Sequence, residues 1–140
     1  MARFVTEVPL RWTDQDAYRH LNHAHAVTLL EEARIAFFFT AAAADGLNGF
    51  VNGLLVAGLR MDYRRQVSYR AEPLRVALWI ENVRAASFHI GYALHDGPHA
   101  ADPVAVDACT RMAIYDLVAG RPRRLDAAER AFLERWTDQP

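Results

Sequence analysis

From Ala24 to Ala44 the chain runs without a single glycine or proline, and its second half, IAFFFTAAAA, is apolar on nearly every side. Most residues of this run are good helix formers, Asn22 is placed to cap its start, and Gly46 is placed to end it. A helix of this length spans ~30 Å, about the width of a small domain. Its apolar stretch, Ile35 to Ala44, is only about half of the ~20 residues that a membrane span requires. A helix that greasy must instead be covered on most sides by the rest of its own domain. That requirement restricts the fold more than any other feature of the sequence.

The covering material follows the helix. Leu54 to Tyr63 reads as a strand. Leu74, Val76, Leu78 and Ile80 alternate with Arg75, Ala77, Trp79 and Glu81. Phe88, Ile90, Tyr92 and Leu94 alternate with Ser87, His89, Gly91 and Ala93, and Val104 to Tyr115 alternates again after a turn at His95 to Pro98. Before the helix, Phe4 to Trp12 alternates as a strand, with Pro9 marking an edge or an interrupted ladder. A closing helix begins at Asp126, with Glu129 reaching back in a capping box and Phe132, Leu133 and Trp136 on its apolar face. The expected fold is α+β: an antiparallel sheet curled around one long helix, with a short helix at the end. Arg75, Trp79, Glu81 and His89 would lie on the outer face of that sheet, where another subunit could cover them.

Length and composition narrow the function classes. At 140 residues, 52% of them hydrophobic and 24% charged, the chain is expected to form a single domain over residues 1–140. A net charge of -1 gives no general attraction to nucleic acid. All 16 basic residues are arginine, so lysine chemistry such as a Schiff base is excluded. Cys109 is the only cysteine; it can form no internal disulfide, alternates within a strand, and reads as a small buried hydrophobe. The N-terminal MARFVTEVPLRW lacks the apolar core of a secretion signal. The expectation is a soluble, cytoplasmic protein that does not act on membranes.

The chemistry concentrates just before the helix. Asp14, Asp16, His20, Asn22, His23 and His25 fall within twelve residues. A helix start offers unpaired backbone N–H groups and partial positive charge, which can hold a developing oxyanion. A carboxylate beside them can act as nucleophile or as base on water. The same residues also suit a capped, solvated loop, and the residues alone leave both readings open. Asp14 reads as the structural member of the pair, holding the loop through backbone N–H groups. Metal binding is disfavoured, since His23 and His25, two apart, diverge on a helix. No metal and no cofactor are expected.

The segment RWTDQDAYRHLNHAHAVTLLEEAR resembles the signature of the 4-hydroxybenzoyl-CoA thioesterase family of hotdog proteins, and is similar to that of the acyl carrier protein thioesterases. MDYRRQVSYRAEPLRVALWIENVRAASFHIGYAL and IYDLVAGRPRRLDAAERAFL resemble the family's later strands and closing helix, so nearly the whole chain is covered. The resemblance implies the hotdog fold and hydrolysis of an acyl-CoA thioester to a free carboxylic acid and CoA. It implies that Asp16 is the catalytic carboxylate, as nucleophile or general base, and that the backbone N–H of His23 polarises the carbonyl. His20 and Asn22 match the family's H-x-N, which shapes the loop and positions water or the carboxylate. Glu31 falls where certain hotdog subfamilies carry a catalytic glutamate. Three positions depart from the pattern: His23 replaces a second Asn, Ala26 an aromatic, and Gln66 a proline.

Several expectations follow from that reading. Arg64, Arg65 and Arg84 are candidates for the phosphates of the coenzyme A moiety, along with Arg70, Arg121, Arg123 and Arg124. The acyl group would lie along Val27, Leu30 and Ile35. The resemblance further implies a homodimer or homotetramer. Two alternatives stay open, an acyl carrier protein as donor and a noncatalytic acyl-CoA-binding module.

Overall fold

The structure is a computed structural model and describes residues 3–137. Strand β1 (Phe4–Val8) leads through a single 3-10 turn (Trp12–Asp14) and a loop into helix α1 (His23–Ala36). A π turn (Phe37–Ala41) and a short last turn α2 (Ala42–Ala44) extend it. Strands β2 (Leu54–Tyr63), β3 (Leu74–Glu81), β4 (Ser87–His95) and β5 (Val104–Asp116) follow, then the short β6 (Arg121–Pro122) and helix α3 (Ala127–Arg135). The main strands pair antiparallel in the order β1-β3-β4-β5-β2, so β1 and β2 are its edges. The sheet and the long helix form the hotdog arrangement that the sequence leads one to expect. Among the described residues no helix is long and apolar enough to cross a membrane.

Two sequence expectations are corrected. β1 stops at Val8, before Pro9, and Trp12 lies in the 3-10 turn rather than in the strand; a proline cannot donate to the ladder beyond that point. The long helix is also not uniform. The N–H of Ala42 reaches back to the carbonyl of Phe37, the five-residue spacing of a π turn. Phe37 and Phe38, neighbours in sequence, are both buried, whereas Phe39 stays 54% exposed. At its end the helix follows expectation. Gly46 adopts φ +78, with Gly46 N–H on Ala43 and Leu47 N–H on Ala42, the double bond of a Schellman cap.

The core lies between α1 and the inner sheet face. Leu29, Leu30, Ala33, Phe37 and Phe38 meet Leu74, Val76, Leu78, Ile80, Phe88, Ile90, Tyr92, Leu94, Met112 and Ile114, all buried. The period-two pattern therefore points the expected side chains inward. On the outer face, Trp79 lies flat across Gly91, where an added Cβ would sit 2.3 Å from the indole. The guanidinium of Arg3 stacks over that indole at 3.9 Å, and the indole N–H donates to Glu81 at 2.7 Å.

Helix α3 closes one end, with Phe132 against Phe37 and Phe50. Its capping box forms as read from the sequence: Glu129 N–H donates to Asp126 at 2.8 Å and Asp126 N–H donates to Glu129 at 3.0 Å. Glu129 is also buried and holds Arg123 through two bonds of 2.7 Å. Arg123 in turn donates to the Gly49 carbonyl, pinning the loop before β2. Removing one partner of a buried charge pair leaves the other uncompensated. Glu129→Ala should therefore cost about 3 kcal/mol, read as a lowered urea midpoint at unchanged m-value.

Candidate active site

The loop between β1 and α1 folds as a miniature hairpin. Gln15 pairs with Leu21, Asp16 N–H donates to the His20 carbonyl at 2.9 Å, and Asn22 N–H donates to the Asp14 carbonyl at 2.8 Å. Arg19, at φ 62, makes the reversal. Leu21 N–H donates to Val67 at 2.7 Å, which ties the loop to the segment after β2. This brings Asp16 to the same end of the molecule as the start of α1. One oxygen of its half-buried carboxylate accepts the N–H of Tyr18 at 2.9 Å.

Asn22 caps the helix as expected: its side-chain oxygen accepts from Ala24 at 2.9 Å and from His25 at 3.4 Å. Ala26 N–H takes the Asn22 carbonyl at 3.0 Å. The N–H of His23 is left as the first-turn amide without a hydrogen-bond partner among the described residues. His23 is exposed, and its carbonyl accepts the Tyr63 hydroxyl at 2.8 Å. Beside this helix end a cleft of about 350 Å³ is lined by Leu21, Ala26, Tyr63, Arg64, Gln66 and Val67 among others. His20 stands in the same hairpin, with its Nδ1 enclosed and unbonded among the described residues.

Asp14 is the structural residue that the sequence reading describes, but its anchoring goes further. It is 0% exposed. The backbone N–H of Arg11 donates to it at 2.7 Å, the Arg11 guanidinium at 2.8 Å, and His25 Nδ1 lies 3.0 Å away. Burial disfavours its charged form, but the bonds from Arg11 and His25 outweigh that and hold its carboxyl below the usual carboxylate range. The Arg11–Asp14–His25 contacts escape a sequence reading, because a side chain on β1's exit and another on the helix meet only once the loop has folded.

The other candidates are dispersed. Glu31 is eight residues beyond His23, roughly 12 Å along the axis, exposed and 3.5 Å from Arg34. One chain does not bring it to the helix start. Arg64 pairs with Asp107, and Arg65 with Asp96, which Arg70 also binds. Arg84 lies in the turn between β3 and β4, at the row of Ser87 and Ala113, while Tyr63 aligns with Val106 and Leu94. Those rows are seven residues apart on β4, roughly 23 Å. The three arginines therefore do not form one patch within a chain. Of the expected acyl wall, Leu30 belongs to the closed core, while Ile35 lines a second, apolar pocket of about 240 Å³ with Phe38, Phe39, Leu54 and Leu55. Cys109 is half-buried, and burial pushes its thiol up. Among the described residues no metal-ligating cluster of three or more forms.

The sequence reading also missed a polar chain under the helix. Arg34 donates to the Tyr92 hydroxyl at 3.3 Å, which shares a 2.8 Å bond with Thr110. Burial pushes the Tyr92 phenol up. The alternation places Tyr92 on the core face, and a buried tyrosine needs a partner for its hydroxyl; that much of a signal was present.

A curled antiparallel sheet on a long helix, with a carboxylate loop at the helix start, defines the hotdog class. A family model described as the thioesterase-like superfamily matches residues 10–134, and the chain belongs to that superfamily. No curated protein matches it. Among solved structures, a predicted thioesterase from Bacillus stearothermophilus superposes with a TM-score of 0.80 at 22% identity, covering 99% of both chains. A thioesterase from Thermus thermophilus, complexed with coenzyme A and Zn, gives 0.76 at 21%, covering 97% of this chain and 95% of that one. The 1,4-dihydroxy-2-naphthoyl-CoA thioesterase from Synechocystis gives 0.75 at 15%, covering 94% and 95%.

The depressed ionisation of Asp14 has a stability consequence. A carboxyl whose folded pKa lies below its unfolded value adds stability above the unfolded value, and that stability is lost as pH falls through the folded one. Urea midpoints of wild type and Asp14→Asn should differ most near neutrality and converge below about pH 4. A constant gap across that range would contradict the assignment.

Proposed function

We propose that this protein hydrolyses an acyl-CoA thioester to a free carboxylic acid and CoA, at the start of α1. The supporting observation is the first-turn amide of His23, which has no bond partner among the described residues, in the element next to the Asp16 hairpin. A thioester oxygen accepting that N–H develops negative charge as its carbon is attacked, and a preorganised donor stabilises the charge at no reorganisation cost. Asp16 supplies the attacking or proton-accepting oxygen. In the nucleophilic route it bonds to the carbonyl carbon, the C–S bond breaks, and water then cleaves the mixed anhydride. In the base route it takes a proton from water, which attacks directly. Rapid acid quench of a single turnover separates the two, since only the first route puts the mass of the acyl group on Asp16. The coenzyme A held by the Thermus thermophilus thioesterase supports a CoA donor over a carrier protein.

Within one chain the pocket along Ile35, Phe38 and Leu54 lies roughly 18 Å along the helix beyond His23, so it would take only the far end of a long acyl chain whose carbonyl sits at the helix start. Arg64 and Arg65, at the helix-start end, remain the candidates for the CoA phosphates. Their partners Asp107 and Asp96 would compete with phosphate.

A homodimer is part of the same reading. The edge strand β2 exposes Leu55, Val56, Leu59 and Tyr63, next to exposed Ile35 and Phe39. An open apolar edge is an invitation to strand pairing. A single-sized dimer in light scattering is expected, with Leu59→Arg shifting it to monomer and lowering activity. A wild-type monomer with full activity would contradict it.

The central test is an acyl-CoA panel run with Asp16→Asn in parallel. The variant should fold normally and lose at least ~10²-fold in kcat. Wild-type turnover by Asp16→Asn would sink the assignment, and tight CoA-ester binding without any hydrolysis would favour the binding-module alternative.

A further inference from the structure

The nucleophilic route creates a need that Asp16 cannot meet. Once its carboxylate carries the acyl group, it has no oxygen left to take the proton of the water that must cleave the anhydride. A second base is required at the same end of the helix. Asp14 cannot serve: its carboxylate is enclosed and occupied by Arg11 and His25. The His23 ring rests edge-on against Tyr63, with ring centroids 6.5 Å apart, and has no hydrogen-bond partner among the described residues. His20 has its Nδ1 enclosed and unbonded.

His25 is different. Its Nδ1 lies 3.0 Å from Asp14 Oδ1. An ionised carboxylate only accepts, so Nδ1 is the donor and the ring's open position is Nε2. The carboxylate is itself fixed from two sides by Arg11, through its backbone N–H and its guanidinium. The imidazole therefore has an orienting partner that cannot swing. It is also 40% exposed, so water can reach it. Asp14 holds the ring two residues before Asp16 in the hairpin that Gln15 and Leu21 pair to form, so His25 and Asp16 belong to the same end of the helix.

We propose that Asp14 and His25 form a catalytic dyad, in which His25 Nε2 takes the proton of the water that cleaves the acyl–Asp16 anhydride and Asp14 is its positioning residue. The inference rests on the thioesterase reading and on the nucleophilic role of Asp16 within it. The hydroxide portion of water bonds to the acyl carbon, the bond from that carbon to Asp16 breaks, and Asp16 leaves as carboxylate. The CoA thiolate takes its proton from solvent as it leaves and the imidazolium later gives one back to solvent, so one thioester and one water become one carboxylate, one thiol and the proton released on ionisation of the acid.

The test compares wild type, His25→Asn and His25→Ala in single-turnover and steady-state hydrolysis of the best acyl-CoA from the panel. Asparagine can keep a donor toward Asp14 while removing Nε2, which separates the chemical role from the anchoring one. His25→Asn should release one equivalent of CoA per site at close to the wild-type rate and then stall, with steady-state kcat lowered ~10²-fold. Added imidazole should restore turnover in His25→Ala. A fully active wild type with His25→Asn showing unchanged kcat, or an unrescued loss without a burst, overturns the dyad and leaves the thioesterase reading standing. A wild type that hydrolyses no acyl-CoA overturns both.

Discussion

The contact on which everything else depends is the burial of α1 against the inner face of the sheet. A helix with Leu29, Leu30, Ala33, Phe37 and Phe38 on one flank cannot stand in water, and each fully buried Leu or Phe adds roughly 1.5–3 kcal/mol. Covering it takes a sheet with alternate residues turned inward, which β3, β4 and β5 supply almost without exception. The site is a by-product of that packing. The interior helix begins at the rim of the sheet, so the exposed His23 amide stays unbonded among the described residues, beside a cleft.

The helix is also where the structure departs from regularity. Three consecutive phenylalanines cannot all face one core on an undistorted helix, and the π turn lets Phe37 and Phe38 enter it together. Phe39 then stays outside, beside Ile35 and the uncovered edge strand β2. The same local choice thus completes the core and leaves an apolar strip on the helix flank.

Charge placement follows a different logic. Asp14, Glu129 and Tyr92 are all buried, and each takes a hydrogen bond from an arginine: Asp14 from Arg11 three residues before it, Glu129 from Arg123 and Tyr92 from Arg34. Guanidinium suits this task because its several donors can bind in parallel. In a chain without lysine, arginine serves both as interior cross-link and as surface charge, and composition cannot tell the two uses apart. That is why Arg84 could be grouped with Arg64 and Arg65 on sequence, although the folded sheet holds it at the opposite end.

What the sequence determined by itself was whatever depends on near neighbours. Helix extent, its Asn22 and Gly46 caps, the strand pattern and the Asp126–Glu129 box are all local periodicities or contacts within a few residues. The crowding of Asp16, Asn22 and His23 at the helix start belongs to the same class. Only tertiary structure decided which distant groups meet: His25 on Asp14, Arg34 on Tyr92, and Arg123 on both Glu129 and Gly49. Such pairings depend on the register of strands and the path of loops, and the chain closes them only after the apolar surface has been buried.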